Sequence, residues 1–128
     1  ELSKFLKNDY ELFFDSMMCI TGIDEGIDST NLGVVYNLHS MKYNHKIEIY
    51  IPVDKNDPKI FSVEKIWRMA EWFEREIYDM YGIVFEGHSD LRRILLPDDW
   101  EGFPLRKDYE FPKTWHGIVV DKIKDGWE

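Results

Sequence analysis

The spacing of apolar residues changes from two to about three and a half along this chain. Residues 32–39 alternate, placing Leu32, Val34, Tyr36 and Leu38 on one side of an extended chain. Residues 46–53 alternate more strictly, with Ile47, Ile49, Ile51 and Val53 against Lys46, Glu48 and Tyr50. A period of two marks half-buried strands, and the intervening SMKYNH suits a hairpin loop. Residues 62–81 change period. Val63, Ile66, Ala70, Phe73, Ile77 and Met80 recur every three or four positions, which predicts one long helix with an apolar face. Ser62 is its expected N-cap and Gly82 its left-handed stop. Glu64–Arg68 and Glu71–Arg75 are i,i+4 pairs on the other side. Trp67 and Trp72 fall off the centre of the apolar face and either widen the core contact or meet a partner.

The remaining segments are less regular. Residues 2–11 read as a short helix capped by Ser3, with Leu2, Phe5 and Leu6 as its apolar patch. Residues 12–21 are nearly all apolar up to Gly22, which favours a buried strand over part of the run. Residues 21–31 and 54–61 carry turn chemistry, and residues 117–120 suit a short strand. The expected fold is α+β. An antiparallel sheet of about three to four strands is covered by the long helix, because each layer must bury its apolar side on another. An extended irregular C-terminal segment follows. Residues 1–128 form a single domain, and 110–128 are either a tail packed on that domain or an extended docking tail lying on another subunit.

The chain's most unusual stretch is 74–109, EREIYDMYGIVFEGHSDLRRILLPDDWEGFPLRKDY. It leaves the long helix and continues without a clear period. Arg75, Arg92, Arg93, Arg106 and Lys107 stand among Glu74, Glu76, Asp79, Asp90, Asp98, Asp99 and Asp108. A long segment without secondary structure inside a compact domain is usually functional or disordered. Tyr78, Tyr81, Phe85, Trp100, Phe103 and Tyr109 supply too much apolar mass for disorder.

Composition narrows the function classes. The net charge of -9 argues against nucleic acid and against anionic lipid. One local basic patch, Arg92, Arg93, Arg106 and Lys107, remains expected. The single cysteine, Cys19, cannot form an internal disulfide and cannot hold an iron–sulfur cluster alone. With Met17, Met18 and Ile20 beside it, it reads as a buried inert thiol. No window approaches 18 apolar residues.

Catalytic motifs fail one by one. GIVFEGH has the outer spacing of a phosphate loop, but His88-Ser89 replaces the required Lys-Ser/Thr. His39, His45, His88 and His116 are scattered, with no zinc spacing. Glu74 and Glu76 are two apart on a helix and do not share a face. Glu76 is expected to turn partly inward, where a buried acid must be paired or protonated. His88 with Asp90 or Glu76 is the remaining acid–base candidate. The residues alone favour an interaction module over an enzyme.

Residues 74–95, EREIYDMYGIVFEGHSDLRRIL, resemble the signature of the C subunit, the thirty-kilodalton subunit, of respiratory complex I (NADH-quinone oxidoreductase). Glu74, Arg75 and Glu76 match its Glu-Arg-Glu. Asp79 matches its acid, Gly87 and His88 its Gly-His, and Arg92, with neighbouring Arg93, its basic position. A second block, 97–109, resembles the family's other landmark through Pro104, Leu105, Arg106, Lys107 and Asp108. Ser89, where Pro is frequent, and Phe103, where His is frequent, depart from the pattern. The resemblance implies a non-catalytic peripheral-arm subunit scaffolding the quinone-reducing module of a proton-pumping translocase. It implies no catalytic, cofactor or metal residue in this chain, with FMN and iron–sulfur clusters in partner subunits. It further implies docking on the large quinone-site protein, the D subunit of that complex, with the B and I subunits nearby. The expected location is peripheral, on the cytoplasmic face of the bacterial inner membrane or the matrix side in mitochondria. The alternative is the equivalent subunit of a related membrane-bound hydrogenase or ferredoxin-linked complex. The matched residues are then signature and interface positions, with Glu76, Asp79 and His88 centring a structural turn.

Overall fold

A computed structural model describes residues 1–120. The elements in order are α1 (Leu2–Asn8), β1 (Ser16–Asp24), β2 (Asn31–Ser40), β3 (His45–Asp54) and β4 (Lys59–Phe61). Then come α2 (Ala70–Tyr81), β5 (Val84–Glu86), β6 (Thr114–Trp115) and β7 (Ile118–Val119). The fold is α+β, as the pattern implies. β1, β2 and β3 form an antiparallel sheet in that order. In the β2–β3 register Leu32 meets Val53, Val34 meets Ile51, Tyr36 meets Ile49 and Leu38 meets Ile47, so the two alternating runs share one face. Leu32, Val34, Tyr36, Leu38 and Val53 on that face pack in one core with Ala70 and Ile77 of α2 and with Ile83 and Phe85 after it, while Ile49 and Ile51 are half-buried and Ile47 is exposed. Leu32, Val34, Leu38, Ile83 and Phe85 are the largest apolar side chains sealed from solvent, each contributing about 1.5–3 kcal/mol. The opposite face carries Thr21, Lys46, Glu48 and Tyr50 to water.

Five expectations need correction. The first helix ends at Asn8 instead of residue 11, because the Asp9 side chain accepts hydrogen bonds from the N–H groups of Glu11 (2.9 Å) and Leu12 (3.1 Å). This Asx turn competes with helix propagation. Second, β1 runs through Gly22 to Asp24. Gly22 is there for approach: a Cβ would stand 2.6 Å from the Tyr81 ring, so its absence lets the end of α2 press onto the strand. Third, Cys19 is half-buried, not buried, and its Sγ lies 3.4 Å from Asn37 Nδ2. Fourth, the loop at 54–61 contains β4, which pairs in parallel with β5.

Fifth, the long helix begins at Ala70, not Ser62. The Ser62 hydroxyl does accept from Glu64 N–H (3.2 Å). It also donates to Glu74 Oε2 (2.6 Å), while Val63 N–H donates to Glu74 Oε1 (2.8 Å). Residues 62–63 are thereby tied beside the middle of α2 instead of on its axis. The intervening turn buries Trp67, whose indole N–H donates to the Phe14 carbonyl (3.0 Å). Trp67 therefore belongs to the core, whereas Trp72 is exposed. At the other end Gly82 stops α2 as expected, with φ 75° and its N–H donating to the Tyr78 carbonyl (2.9 Å).

Candidate functional site

Beyond α2, residues 87–113 have no helix or strand, yet they are firmly held. The holding groups are carboxylates that accept backbone N–H groups, which satisfies donors that no ladder reaches. Asp79 is sealed from solvent on α2. Its Oδ2 accepts from the N–H groups of Ile94 (3.2 Å), Leu95 (2.7 Å) and Leu96 (3.0 Å), and its Oδ1 from Arg93 Nη1 (2.8 Å). Burial alone would raise this carboxyl's pKa. The donors from Leu96, Arg93, Leu95 and Ile94 outweigh it and hold the pKa below the usual aspartate value.

Asp24, at the end of β1, repeats the device. It accepts from the N–H groups of Gly26 (3.0 Å) and Lys107 (2.8 Å) and pairs with Lys55 (3.3 Å). Burial again opposes ionisation, and the same donors override it to lower the pKa. Glu64 accepts from both the N–H (2.9 Å) and hydroxyl (2.6 Å) of Ser89. A proline at 89 has no N–H to offer, so this departure from the family pattern gains two bonds.

Glu74 and Glu76 separate completely. Glu74 is sealed in the core and Glu76 is exposed, reversing the expectation for Glu76. Glu74 follows Ala70 by four and precedes Ile77 by three, so it shares their buried stripe. Burial dominates at Glu74 and raises its pKa, although Ser62 and Val63 favour the charged form. The raised carboxyl binds its proton more tightly folded than unfolded. Its contribution to stability is full below the ordinary glutamate value and falls as pH rises through the folded one. Glu74→Gln keeps an acceptor for Val63 and removes the titration. It is expected to stay within about 1 kcal/mol of the parent at neutral pH. It should also flatten the fall in stability above the ordinary glutamate range, read by thermal unfolding across pH.

His88 is locked. Its side chain is inaccessible, Nδ1 accepts from Asp90 N–H (3.0 Å), and Nε2 lies 3.0 Å from the Glu71 carbonyl. With Nδ1 accepting, Nε2 is the nitrogen placed to donate, to the Glu71 carbonyl. The Asp90 carboxylate faces Arg92 instead (3.0 Å). Neither ring nitrogen is left to exchange a proton with a substrate. Of the turn centred on Glu76, Asp79 and His88, the structure brings Asp79 and His88 inward and leaves Glu76 outside.

The basic residues also divide. Arg75 is buried, with its guanidinium 4.9 Å over Trp72 and Nε donating to the Arg92 carbonyl (3.3 Å). Arg93 adds a bond to the Gly102 carbonyl (2.9 Å), and Arg106 Nε donates to the Tyr81 carbonyl (2.6 Å). Both guanidiniums sit 5.1 Å from the Phe103 ring. Arg92 and Lys107 point to solvent, so the expected four-residue basic patch is reduced to these two. Gly87 turns the chain after β5 at φ 84°, and Pro104 is half-buried. Leu105 is held by its N–H on the Met80 carbonyl (3.1 Å), with its side chain outside. Asp108 pairs with Lys55 at 3.7 Å.

Several large side chains remain outside. Met69, Trp72 and Leu105 are more than half exposed, with Glu76 and Arg92 among them. A shallow groove of about 260 Å³ runs between β1 and α2, lined by Phe73, Glu76, Met80 and Leu105 among others. Large apolar side chains rimmed by charge are the composition of a protein interface. Among the described residues no group of three or more His, Cys, Asp or Glu is arranged to hold a metal ion, and no helix is long and apolar enough to cross a membrane. Asp24 and Glu64 were missed as anchors. Asp24 grips a residue 83 positions away, and no local spacing announces that.

A family model described as "Respiratory-chain NADH dehydrogenase, 30 Kd subunit" matches residues 1–114. The chain belongs to this family. The match reaches well beyond the two signature blocks and includes the whole sheet. Among this family's curated members, the C subunit of NADH-quinone oxidoreductase from Chloroherpeton thalassium is 53% identical over 117 residues, covering 91% of this chain and 48% of that protein. The same subunit from Chlorobium phaeobacteroides is 44% identical over 121 residues, covering 94% and 72%. The chain thus spans about half the length of the first of these relatives. Two solved structures share the fold of this 30-kilodalton family chain. One is a trypsin-resistant fragment of Nqo5, at 29% identity and TM-score 0.56, covering 70% of this chain and 77% of that one. The other is in a membrane-bound sulfane sulfur reductase, an archaeal respiratory membrane complex, at 27% identity and TM-score 0.72, covering 99% and 79%.

Proposed function

We propose that this chain is a non-catalytic scaffold of the peripheral arm of NADH-quinone oxidoreductase, carrying no cofactor of its own. FMN and iron–sulfur clusters reside in its partners. The outer face of α2 and of the segment after it docks on the large quinone-site protein of the complex, its D subunit, with the B and I subunits nearby. Residues 110–120 extend that contact as a tail; the tail's end at 121–128, including Trp127, lies outside the described residues. The assembly sits peripherally on the cytoplasmic face of the bacterial inner membrane. One observation carries the reading. Two of the signature's ionisable groups are consumed in holding the chain's own backbone, Asp79 on 94–96 and His88 on Asp90 and Glu71. The exposed remainder, Trp72, Arg92 and Leu105, has interface chemistry.

A second reading rests on the likeness to the archaeal sulfane sulfur reductase complex over 99% of the chain. It makes the chain the equivalent subunit of a related hydrogenase-type or ferredoxin-linked complex. Affinity isolation of the tagged chain from membranes separates the two. A flavin-bearing NADH-oxidising subunit in the eluate supports the first, and a nickel-site large subunit supports the second. Absence of any large quinone-site subunit overturns the scaffold reading. Within the first, Arg92→Glu combined with Leu105→Glu is expected to lower incorporation about tenfold or more while far-UV dichroism of the isolated chain stays unchanged. Reversing Arg93 or Arg106 is not a docking test, because their guanidiniums bind the chain itself.

A further inference from the structure

A cleft of about 420 Å³ lies where the loop around Trp100 meets the β6–β7 hairpin, lined by Trp100, Glu101, Glu110, Pro112, Thr114 and Trp115. The chain's own bonds build its walls. His116 and Gly117 join β6 to β7, both left-handed at φ 47° and 79°, which closes a two-residue hairpin. His116 Nε2 lies 2.8 Å from Asp99 Oδ2 and ties this hairpin to the loop. The Trp100 indole N–H donates to the Tyr109 hydroxyl (3.0 Å). The Tyr109 ring in turn fills the space beside Gly102, where a Cβ would stand 2.6 Å from it. Trp100 and Trp115 then lean together at 40°, with ring centroids 4.8 Å apart. Nothing fits between rings so close, so they form a single aromatic wall.

We propose that this cleft receives an arginine side chain of a neighbouring subunit, held by the Trp100–Trp115 wall and by the carboxylates of Glu101 and Glu110. The sign of the occupant follows from the charges around the cleft. Glu101 and Glu110 line it, and neither carboxylate has an ion-pair partner among the described residues. Asp98 and Asp99 precede Trp100 and add to the negative side. On the positive side, His116 is turned onto Asp99, and Lys113 is exposed and does not line the cleft. An indole face is the best aromatic partner for a cation. A guanidinium stacks flat on it while its edge N–H groups reach a carboxylate, a combination that a point-like ammonium does not match. The hairpin indicates a protein as the source. Ile118, paired with Trp115, is 66% exposed, and Val119, paired with Thr114, is 73% exposed. A small cation leaves both wet, whereas a protein surface covers cleft and hairpin together. The inference rests on the scaffold reading, which supplies the neighbouring subunits, and names the chemistry of one contact made by the segment after α2.

The test uses the complex isolated from membranes. Glu101→Gln with Glu110→Gln removes both charges at exposed positions and keeps the side-chain size. Incorporation is expected to fall about fivefold. Glu11→Gln with Glu48→Gln makes the same change of net charge at other exposed positions and is expected to leave incorporation at the parent level. Equal loss in the two pairs, or loss in neither, overturns the cleft as a cation site. A photo-crosslinking benzoylphenylalanine then replaces Thr114 in one strain and Leu105 in another. From Thr114 a crosslink to an arginine-containing peptide of another subunit is expected, and a partner peptide without arginine overturns the guanidinium. A crosslink from Thr114 to a second copy of this chain, or to its own residues 121–128 with Lys122 and Lys124, overturns a neighbouring subunit as the source. Crosslinking from Leu105 alone overturns the cleft contact and leaves the scaffold reading standing; none from either position overturns both.

Discussion

Asp79→Ala is expected to cost about 3–5 kcal/mol, the range for stripping the partner from a buried charge. The substitution leaves three successive N–H groups, on Ile94, Leu95 and Leu96, without their acceptor. It also leaves Arg93, whose side chain is 11% exposed, without its counter-ion. A loss of this size is a large share of a domain's whole stability. Urea unfolding of the isolated chain measures it. Amide hydrogen exchange locates it, with protection lost first at 94–96 while the β2–β3 ladder holds. Asp79→Asn retains one acceptor oxygen and forfeits the charge, so an intermediate loss is expected. The pH dependence has a definite sign. The folded pKa lies below the ordinary aspartate value, so the contribution is present above that value and is lost as pH falls through the folded one. Uniform exchange across the chain in Asp79→Ala would show that the segment is held by other means.

Gly82→Ala is expected to destabilise by about 2–5 kcal/mol, from two separable sources. Gly82 sits at φ 75°, where a side chain costs roughly 1–2 kcal/mol. A Cβ there would also stand 2.5 Å from the Phe103 ring, and overpacking of this kind costs about 1–3 kcal/mol. The ring cannot simply retreat, because Arg93 and Arg106 both stack against it at 5.1 Å and Tyr78 lies 6.4 Å away. A double-mutant cycle with Phe103→Ala resolves the two sources. The double variant should be less destabilised than the sum of the singles by about 1–3 kcal/mol, the steric share alone. Strict additivity would place the whole cost in the backbone of Gly82.

The two predictions probe one arrangement. Asp79 grips the segment at 94–96, Asp24 grips it at Lys107, and Phe103 with its two arginines fills the space between the segment and the end of α2. The segment is held without a ladder of its own because side-chain acceptors on regular elements replace one. Such an arrangement suits a docking surface. The backbone is ordered before any partner arrives, so less conformational entropy is lost on association.

How much of this was legible depended on the range of the signal. The strands β2 and β3 and the hairpin between them follow from alternation, since a period of two in residues 32–53 admits one buried face. Gly82 as the stop of α2 is equally local. The start of α2 was not legible. Residues 62–69 keep helical spacing, yet the bonds from Ser62 and Val63 to Glu74 turn them aside, and those bonds exist only once α2 is packed. The β4–β5 pair joins two three-residue runs that are too short to show a period, and they are separated by the whole of α2.

The sequence by itself determined the α+β class, the alternating faces of β2 and β3, the absence of a phosphate-loop or zinc spacing, and through two ordered blocks the family. Tertiary structure alone decided which charges are internal. Glu74 lies on the helical stripe of Ala70 and Ile77 and Glu76 does not, but only the bonds from Ser62 and Val63, made across the fold, let that stripe bury a carboxyl. Arg92 and Arg93 are adjacent, and only the position of Asp79 draws one guanidinium inward. Desolvation and ion pairing depend on distances across the fold, which composition and spacing along the chain do not encode.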